Sequence, residues 1–202
     1  QLVAVGIEEG KLEDAAVYRA LALKLLAPAR PRAVCVGGLS GVGKTTIARA
    51  IAARLPGPAG ARLLRTDVLR KLALGQAPEA PAGVPGLYSS AARASVYEIM
   101  FTHSREALAS GISTVLDATF QSAIMRLEAS AQTGGQVIGI WLDAPLDVRL
   151  ARIAARKGDA SDADAEVAKA QEDPAELGAG WQRVDASGTV DETIDNALAV
   201  LD

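Results

Sequence analysis

One stretch constrains this chain more than any other, because it dictates what must stand on either side of it: Gly38-Leu-Ser-Gly-Val-Gly43-Lys44-Thr45. It fulfils the pattern G-x-x-x-x-G-K-[ST] completely. Glycines let the backbone curl until successive N–H groups point inward, which makes an anion nest at the N-terminus of a helix. A strand has to lead into that nest and a helix has to leave it. The sequence supplies both: the apolar run "AVCVGGL" before and the helical stretch Lys44–Leu55 after. In such a loop Gly38, Ser40, Gly41, Val42, Gly43, Lys44, Thr45 and Thr46 cradle nucleotide phosphates. The Lys44 ammonium reaches the β and γ phosphates, and the Thr45 hydroxyl ligates Mg²⁺.

Beyond Pro31 the alternation continues. "ARLLRTD" leads into a long polar and helical region, "ISTVLDATF" precedes a helix around Ala123–Gln132, and "QVIGIWLDAP" precedes one beginning near Pro145. "WQRVDASG" leads into a last helix of roughly Val190–Leu201. Continuous apolar strands alternating with helices predict a parallel sheet covered on both faces, a three-layer α/β domain over residues 31–202. Ligands bind such sheets at the carboxyl ends of the strands. Ser40–Lys44, Asp67, Asp117 and Asp143 all fall there. Residues 1–30 are expected to form a leader or linker, with a helix from Asp14 that Asp14 caps and that repeats Val17, Leu21 and Leu25. Two segments interrupt the alternation: Gly75–Ser90, rich in Pro, Gly and Ala, and the polar stretch "RKGDASDADAEVAKAQEDPAELGAG", which has the character of a lid.

Composition narrows the function. The 202 residues suffice for one sizeable core, and a formal charge of −3 gives no basic field for nucleic acid. One cysteine and one histidine exclude a disulfide framework and any site that needs two of either. No apolar run approaches the roughly 20 residues that span a bilayer, and the start lacks the pattern of a signal peptide. A cytoplasmic location is the expectation.

The loop alone does not name a reaction. The guanine-reading N-K-x-D is absent, and the candidate strand "STVLDATF" ends in a single Asp117 rather than the acidic pair of a dedicated ATPase. A phosphotransferase needs an acceptor-side carboxylate and cations that neutralise the transferring group. Asp67 in "LLRTDVLRK" stands where a carboxylate can take a proton from a substrate hydroxyl, with Arg70 one helical turn on; the same position also suits a helix cap. Asp117 suits a Mg²⁺-bound water or the acceptor, or a simple turn. Arg149, Arg152 and Arg156 share one helix face, either as a solvated basic face or as cations closing over phosphate. Arg152 and Arg156 are the stronger pair.

The segments "GGLSGVGKTTIARAIA", "LLRTDVLRK", "VLDATF", "WLDAPLDVRLARIAARKGDASDAD" and "WQRVDASG" together resemble the small P-loop kinase-type ATP-binding domains of bacteria. That group includes zeta-toxin-like, gluconate-kinase-like and polynucleotide-kinase-like enzymes. "GDASDAD" and "VDASG" are similar to the members fused behind an aminoglycoside-phosphotransferase-like domain, and "AAVYRALALKLL" resembles the tail joining the two. The resemblance implies a sheet of order 2-3-1-4-5, ATP with Mg²⁺, and transfer to a small hydroxyl acceptor. It places the acceptor-activating carboxylate at Asp67, lid arginines at Arg152 and Arg156, an adenine-bordering loop around Asp185–Gly188, and a substrate contact at Arg126.

Two other functions stay open at this stage: a regulatory ATP-binding module without its own acceptor, and a polynucleotide 5′-kinase, which the acidic charge disfavours. Tyr88 and Arg93 would overhang the acceptor pocket. His103 and Trp141 read as structural, and Trp181 as packing or as a neighbour of the nucleotide.

Overall fold

The structure, a computed structural model, describes residues 9–26, 30–55, 57, 60–77, 90–134, 137–155 and 165–201. Its centre is β1 (Ala33–Gly38), with every residue buried. Beside it run β3 (Thr114–Asp117) and β4 (Val137–Asp143), and outside these β2 (Arg62–Arg65) and β5 (Trp181–Asp185). All pairings are parallel, giving the order β2-β3-β1-β4-β5 that the sequence resemblance implies. The register brings Val36 and Arg65 level with Asp117, and Asp143 level with Asp185, so the carboxyl ends form one rim.

Alternation along β1 sorts side chains to two cores. Val34 and Val36 pack with Ile47, Ile51 and Ala52 of α2 (Lys44–Arg54) and with Ala197 of α8 (Val190–Ala199). Cys35 faces the other way, with Tyr97, Met100 and Phe101 of α4 (Ser90–Ala109) and Ala129 of α5 (Ala123–Gln132). Gly139 of β4 makes the second core possible: a Cβ there would lie 2.2 Å from the Trp181 indole. The ring also stands 5.1 Å from Phe120. Trp181 is therefore a packing residue, and it is the first residue of β5.

Other boundaries differ for local reasons. β2 stops at Arg65 because Thr66 and Asp67 already form the first turn of α3 (Thr66–Ala73). α1 (Glu9–Leu26) includes Asp14 within the helix, which overturns its expected cap role. Its Val17 and Tyr18 are exposed. The chain is completed by α6 (Leu146–Ala155) and α7 (Ala165–Ala170). Residues 78–89, including Tyr88, lie outside the described residues, as do 156–164 with Arg156. Among the described residues no helix is long and apolar enough to cross a membrane.

Candidate active site

At the rim, the loop after β1 turns through Gly41 (φ 85°) and Gly43 (φ 99°), left-handed conformations that favour glycine. Gly41 is required twice over, since a Cβ would sit 2.4 Å from the Arg149 carbonyl oxygen. Gly43 caps α2 without any side-chain hydrogen bond. That leaves the helix start, with its partial positive charge, to a ligand. The loop forms one wall of a cleft of about 970 Å³, whose other walls bring in Asp67, Arg70, Arg93, Tyr97, Asp117, Thr119, Gln121, Arg152 and Gln171. Lys44 donates from Nζ to the Leu39 carbonyl at 3.0 Å.

Asp117 ends β3 at the cleft floor, 5% exposed. The Thr45 hydroxyl donates to its Oδ2 at 2.7 Å, and Arg65 Nε approaches the same oxygen at 3.4 Å. Arg65 also donates to Thr45 Oγ1 at 3.2 Å. Burial pushes the Asp117 carboxyl above its ordinary range, opposed in turn by Lys44, the Thr45 hydrogen bond and Arg65. A hydroxyl and a carboxylate at this spacing are hard oxygen donors of the kind Mg²⁺ takes. Among the described residues no group of three His, Cys, Asp or Glu could hold a metal unaided. A Mg²⁺ here would depend on phosphate oxygens, as is usual for that ion.

Across the cleft, Arg70 donates to Asp67 Oδ1 at 2.9 Å. Both residues come from the first turns of α3, which the Thr66 hydroxyl ties back to the Asp117 carbonyl at 3.4 Å. Tyr97, buried in α4, accepts the Phe120 N–H at 3.0 Å and lies 3.5 Å from the Thr119 hydroxyl. Burial raises its phenol above the ordinary value against those hydrogen bonds.

The arginines divide. Arg152 lines the cleft, but its guanidinium is engaged with three carbonyls: Ala186 at 2.8 Å, Gly188 at 3.1 Å and Val42 at 3.3 Å. It thereby joins the phosphate loop to the loop after β5, and Gly188 meets the site through that bond. Arg149 is buried, bonded to the Ser40 and Ala168 carbonyls at 3.4 Å each. Arg126 does not match the expectation of substrate contact. It is 4% exposed, off the cleft wall, and donates to the carbonyls of Phe120, Gln121, Glu176 and Leu177 at 2.7 to 2.9 Å. Sequence reasoning missed Arg65, Tyr97 and Gln171. Arg65 carried a usable signal, a basic residue at the carboxyl end of a strand; the other two carried none.

Fold and site together define an α/β domain of the P-loop type. The family model described as AAA domain (AAA_33) matches residues 34–177, more than half of the chain, and the chain belongs to that family. Uncharacterized proteins of Mycobacterium tuberculosis and Mycobacterium bovis are 35% identical over 208 residues. The match covers 97% of this chain and 40% of each relative, so the chain spans about two-fifths of their length. Among solved structures, a sugar kinase from Janibacter sp. superposes with TM-score 0.67 at 22% identity, covering 85% of this chain and 94% of that one. A gluconokinase from Sinorhizobium meliloti gives 0.61 at 22%, with 85% and 92% covered. The Mycobacterium tuberculosis APS kinase CysC, in complex with AMPPNP and APS, gives 0.57 at 18%, with 86% and 99% covered. At these identities the likeness is one of fold.

Proposed function

We propose that this domain is an ATP- and Mg²⁺-dependent phosphotransferase moving the γ-phosphoryl group to a hydroxyl of a small molecule. The observation that carries the reading is that Asp67 lines the same cleft as the loop whose Thr45 hydroxyl lies 2.7 Å from the Asp117 carboxylate. The loop from Gly38 to Thr46 holds the phosphates, and Lys44 exchanges the Leu39 carbonyl for phosphate oxygens. Thr45 and Asp117 would hold Mg²⁺, which neutralises phosphate charge when bound. Asp67, fixed through Oδ1 by Arg70, accepts the acceptor's hydroxyl proton as that oxygen bonds to phosphorus and the bond to ADP breaks. Arg152 borders the site from α6 while bridging the loops at Val42 and Gly188. Kinase-type structural neighbours support the reading.

Lys44→Ala is expected to abolish nucleotide turnover. Asp67→Ala is expected to lower acceptor-dependent ADP release by roughly 10²-fold or more while sparing ATP binding. A panel of hydroxyl-bearing metabolites assayed for ADP release tests this. Loss of ATP affinity in Asp67→Ala with transfer intact would overturn the role of Asp67. The length of the relatives favours a second reading, an ATP-binding module that regulates a further domain of a longer protein; the resemblance alone implies that domain to be upstream and aminoglycoside-phosphotransferase-like. That reading requires ATP binding with no acceptor in the panel.

A further inference from the structure

We infer that Gln171 is a further residue of the phosphoryl site: its carboxamide oxygen fixes the loop at Ser40, while its amide nitrogen donates to the γ-phosphoryl group of ATP. The inference rests on the phosphotransferase reading and refines it.

Ser40 is the third residue of the phosphate loop, and its N–H is taken by a side chain from 131 positions away: Gln171 Oε1 accepts it at 2.7 Å. This bond settles which way the carboxamide faces. A backbone N–H requires an acceptor, so the oxygen points to Ser40 and the planar group turns its –NH₂ elsewhere. That nitrogen has no hydrogen-bond partner among the described residues, and Gln171 lines the cleft. Two N–H donors therefore stand beside the loop with no acceptor among the described residues.

Their surroundings say which oxygen they suit. Ser40 belongs to the β1 end of the loop, where Gly38 N–H meets the Thr119 carbonyl at 3.2 Å and Gln121 donates to the Glu172 carbonyl at 2.9 Å. Thr119, Gln121 and Gln171 lie together on that side of the cleft. The loop after β5 meets the other end of the phosphate loop, where Arg152 joins Ala186 and Gly188 to Val42. Donors next to Ser40, on the side of Asp117 and Thr119, are thereby assigned to the terminal phosphoryl, whose charge is spread over three equatorial oxygens in the transition state.

The group is also held firmly. Immediately after Gln171, Asp173 accepts Trp141 Nε1–H at 3.0 Å and pairs with Arg183 at 2.7 Å, and Arg126 grips the carbonyls of Glu176 and Leu177. A donor fixed before the substrate arrives needs no reorganisation during reaction, and deleting one such donor elsewhere costs about 10²–10³ in turnover.

Two substitutions separate this role from a mere latch. Gln171→Glu keeps an acceptor for the Ser40 N–H but replaces the donors with negative charge; Gln171→Ala removes both. The readout is calorimetric affinity of the whole chain for Mg²⁺–AMPPNP and for Mg²⁺–ADP, which differ only at the terminal group that Gln171 should touch. Gln171→Glu is expected to weaken AMPPNP by about tenfold or more while leaving ADP within about threefold. Gln171→Ala should shift the same ratio in the same direction by less. An AMPPNP-to-ADP ratio unchanged in Gln171→Glu overturns the role, as does an equal loss for both nucleotides in Gln171→Ala with Gln171→Glu unaffected. Failure of the unsubstituted protein to bind either nucleotide would overturn the phosphotransferase reading itself, a different and recognisable result.

Discussion

Arg126 shows how a charged side chain can serve the site without entering it. Its guanidinium reaches two loops, the one after β3 and the one before β5, and satisfies two carbonyls in each. The first of these loops contains Phe120, whose φ of 48° is costly for a bulky residue, on the order of 1–3 kcal/mol. Arg126 from the carbonyl side and Tyr97 from the N–H side hold that conformation, and through it the Thr119 carbonyl that receives Gly38 N–H. Arg126→Met would leave the buried Phe120 carbonyl without this donor, at about 1–3 kcal/mol. We expect a loss on the order of 3 kcal/mol in urea unfolding, together with weakened nucleotide binding. A substrate-contact role would instead have predicted a near-normal urea midpoint. Asp117 works from the opposite circumstance: its burial is unfavourable to its own charge, and the groups that relieve it, Lys44, Thr45 and Arg65, stand around it at the cleft floor.

At the scale of elements, the start of α8 matters because it supports the loop that Arg152 grips at Ala186 and Gly188. Thr189 and Glu192 form a reciprocal capping box there, with Thr189 N–H and hydroxyl both donating to Glu192 Oε2 at 2.9 and 2.8 Å. These bonds, the backbone one foremost, hold the Glu192 carboxyl below its ordinary value. A carboxyl whose folded value is lowered contributes stability that is complete above its unfolded value and disappears as pH falls through the folded one. The difference in urea midpoint between the parent and Glu192→Ala should therefore be full at neutral pH and shrink below about pH 4. A difference that persists unchanged at pH 3 would mean the cap is not ionic. Asp185, lowered by its hydrogen bonds to Ser187, adds a contribution of the same sign on the same loop.

For the whole molecule, a ligand that binds only the folded chain raises its stability in proportion to saturation. Mg²⁺–ATP at 100 times its dissociation constant should add about 2.7 kcal/mol, a rise in melting temperature of roughly 5–10 °C for a domain of this size. Lys44→Ala should erase most of that rise, and a shift retained in Lys44→Ala would place the nucleotide elsewhere. Much of this architecture was legible in the sequence. The phosphate loop, the strand–helix alternation and α5 at Ala123–Gln132 follow from patterns spanning fewer than about twenty residues, because backbone conformation and apolar periodicity are local properties. The sheet order came from the resemblance, and Asp67 and Asp117 from their place at strand ends, which a parallel sheet gathers on one rim. The destinations of long polar side chains were not legible. Arg126 and Arg152 carry the same charge on similar helices, yet one is buried against two loops and the other lines the cleft. Gln171 had no motif at all and acquires its role from a bond to Ser40 that only the packed sheet brings within reach. The sequence by itself determined the phosphate cradle and the layers that carry it, since both are written in short-range spacing. Only the tertiary structure decided which cations and amides face the cleft, since that depends on which carbonyls, remote in the chain, reach each side chain first.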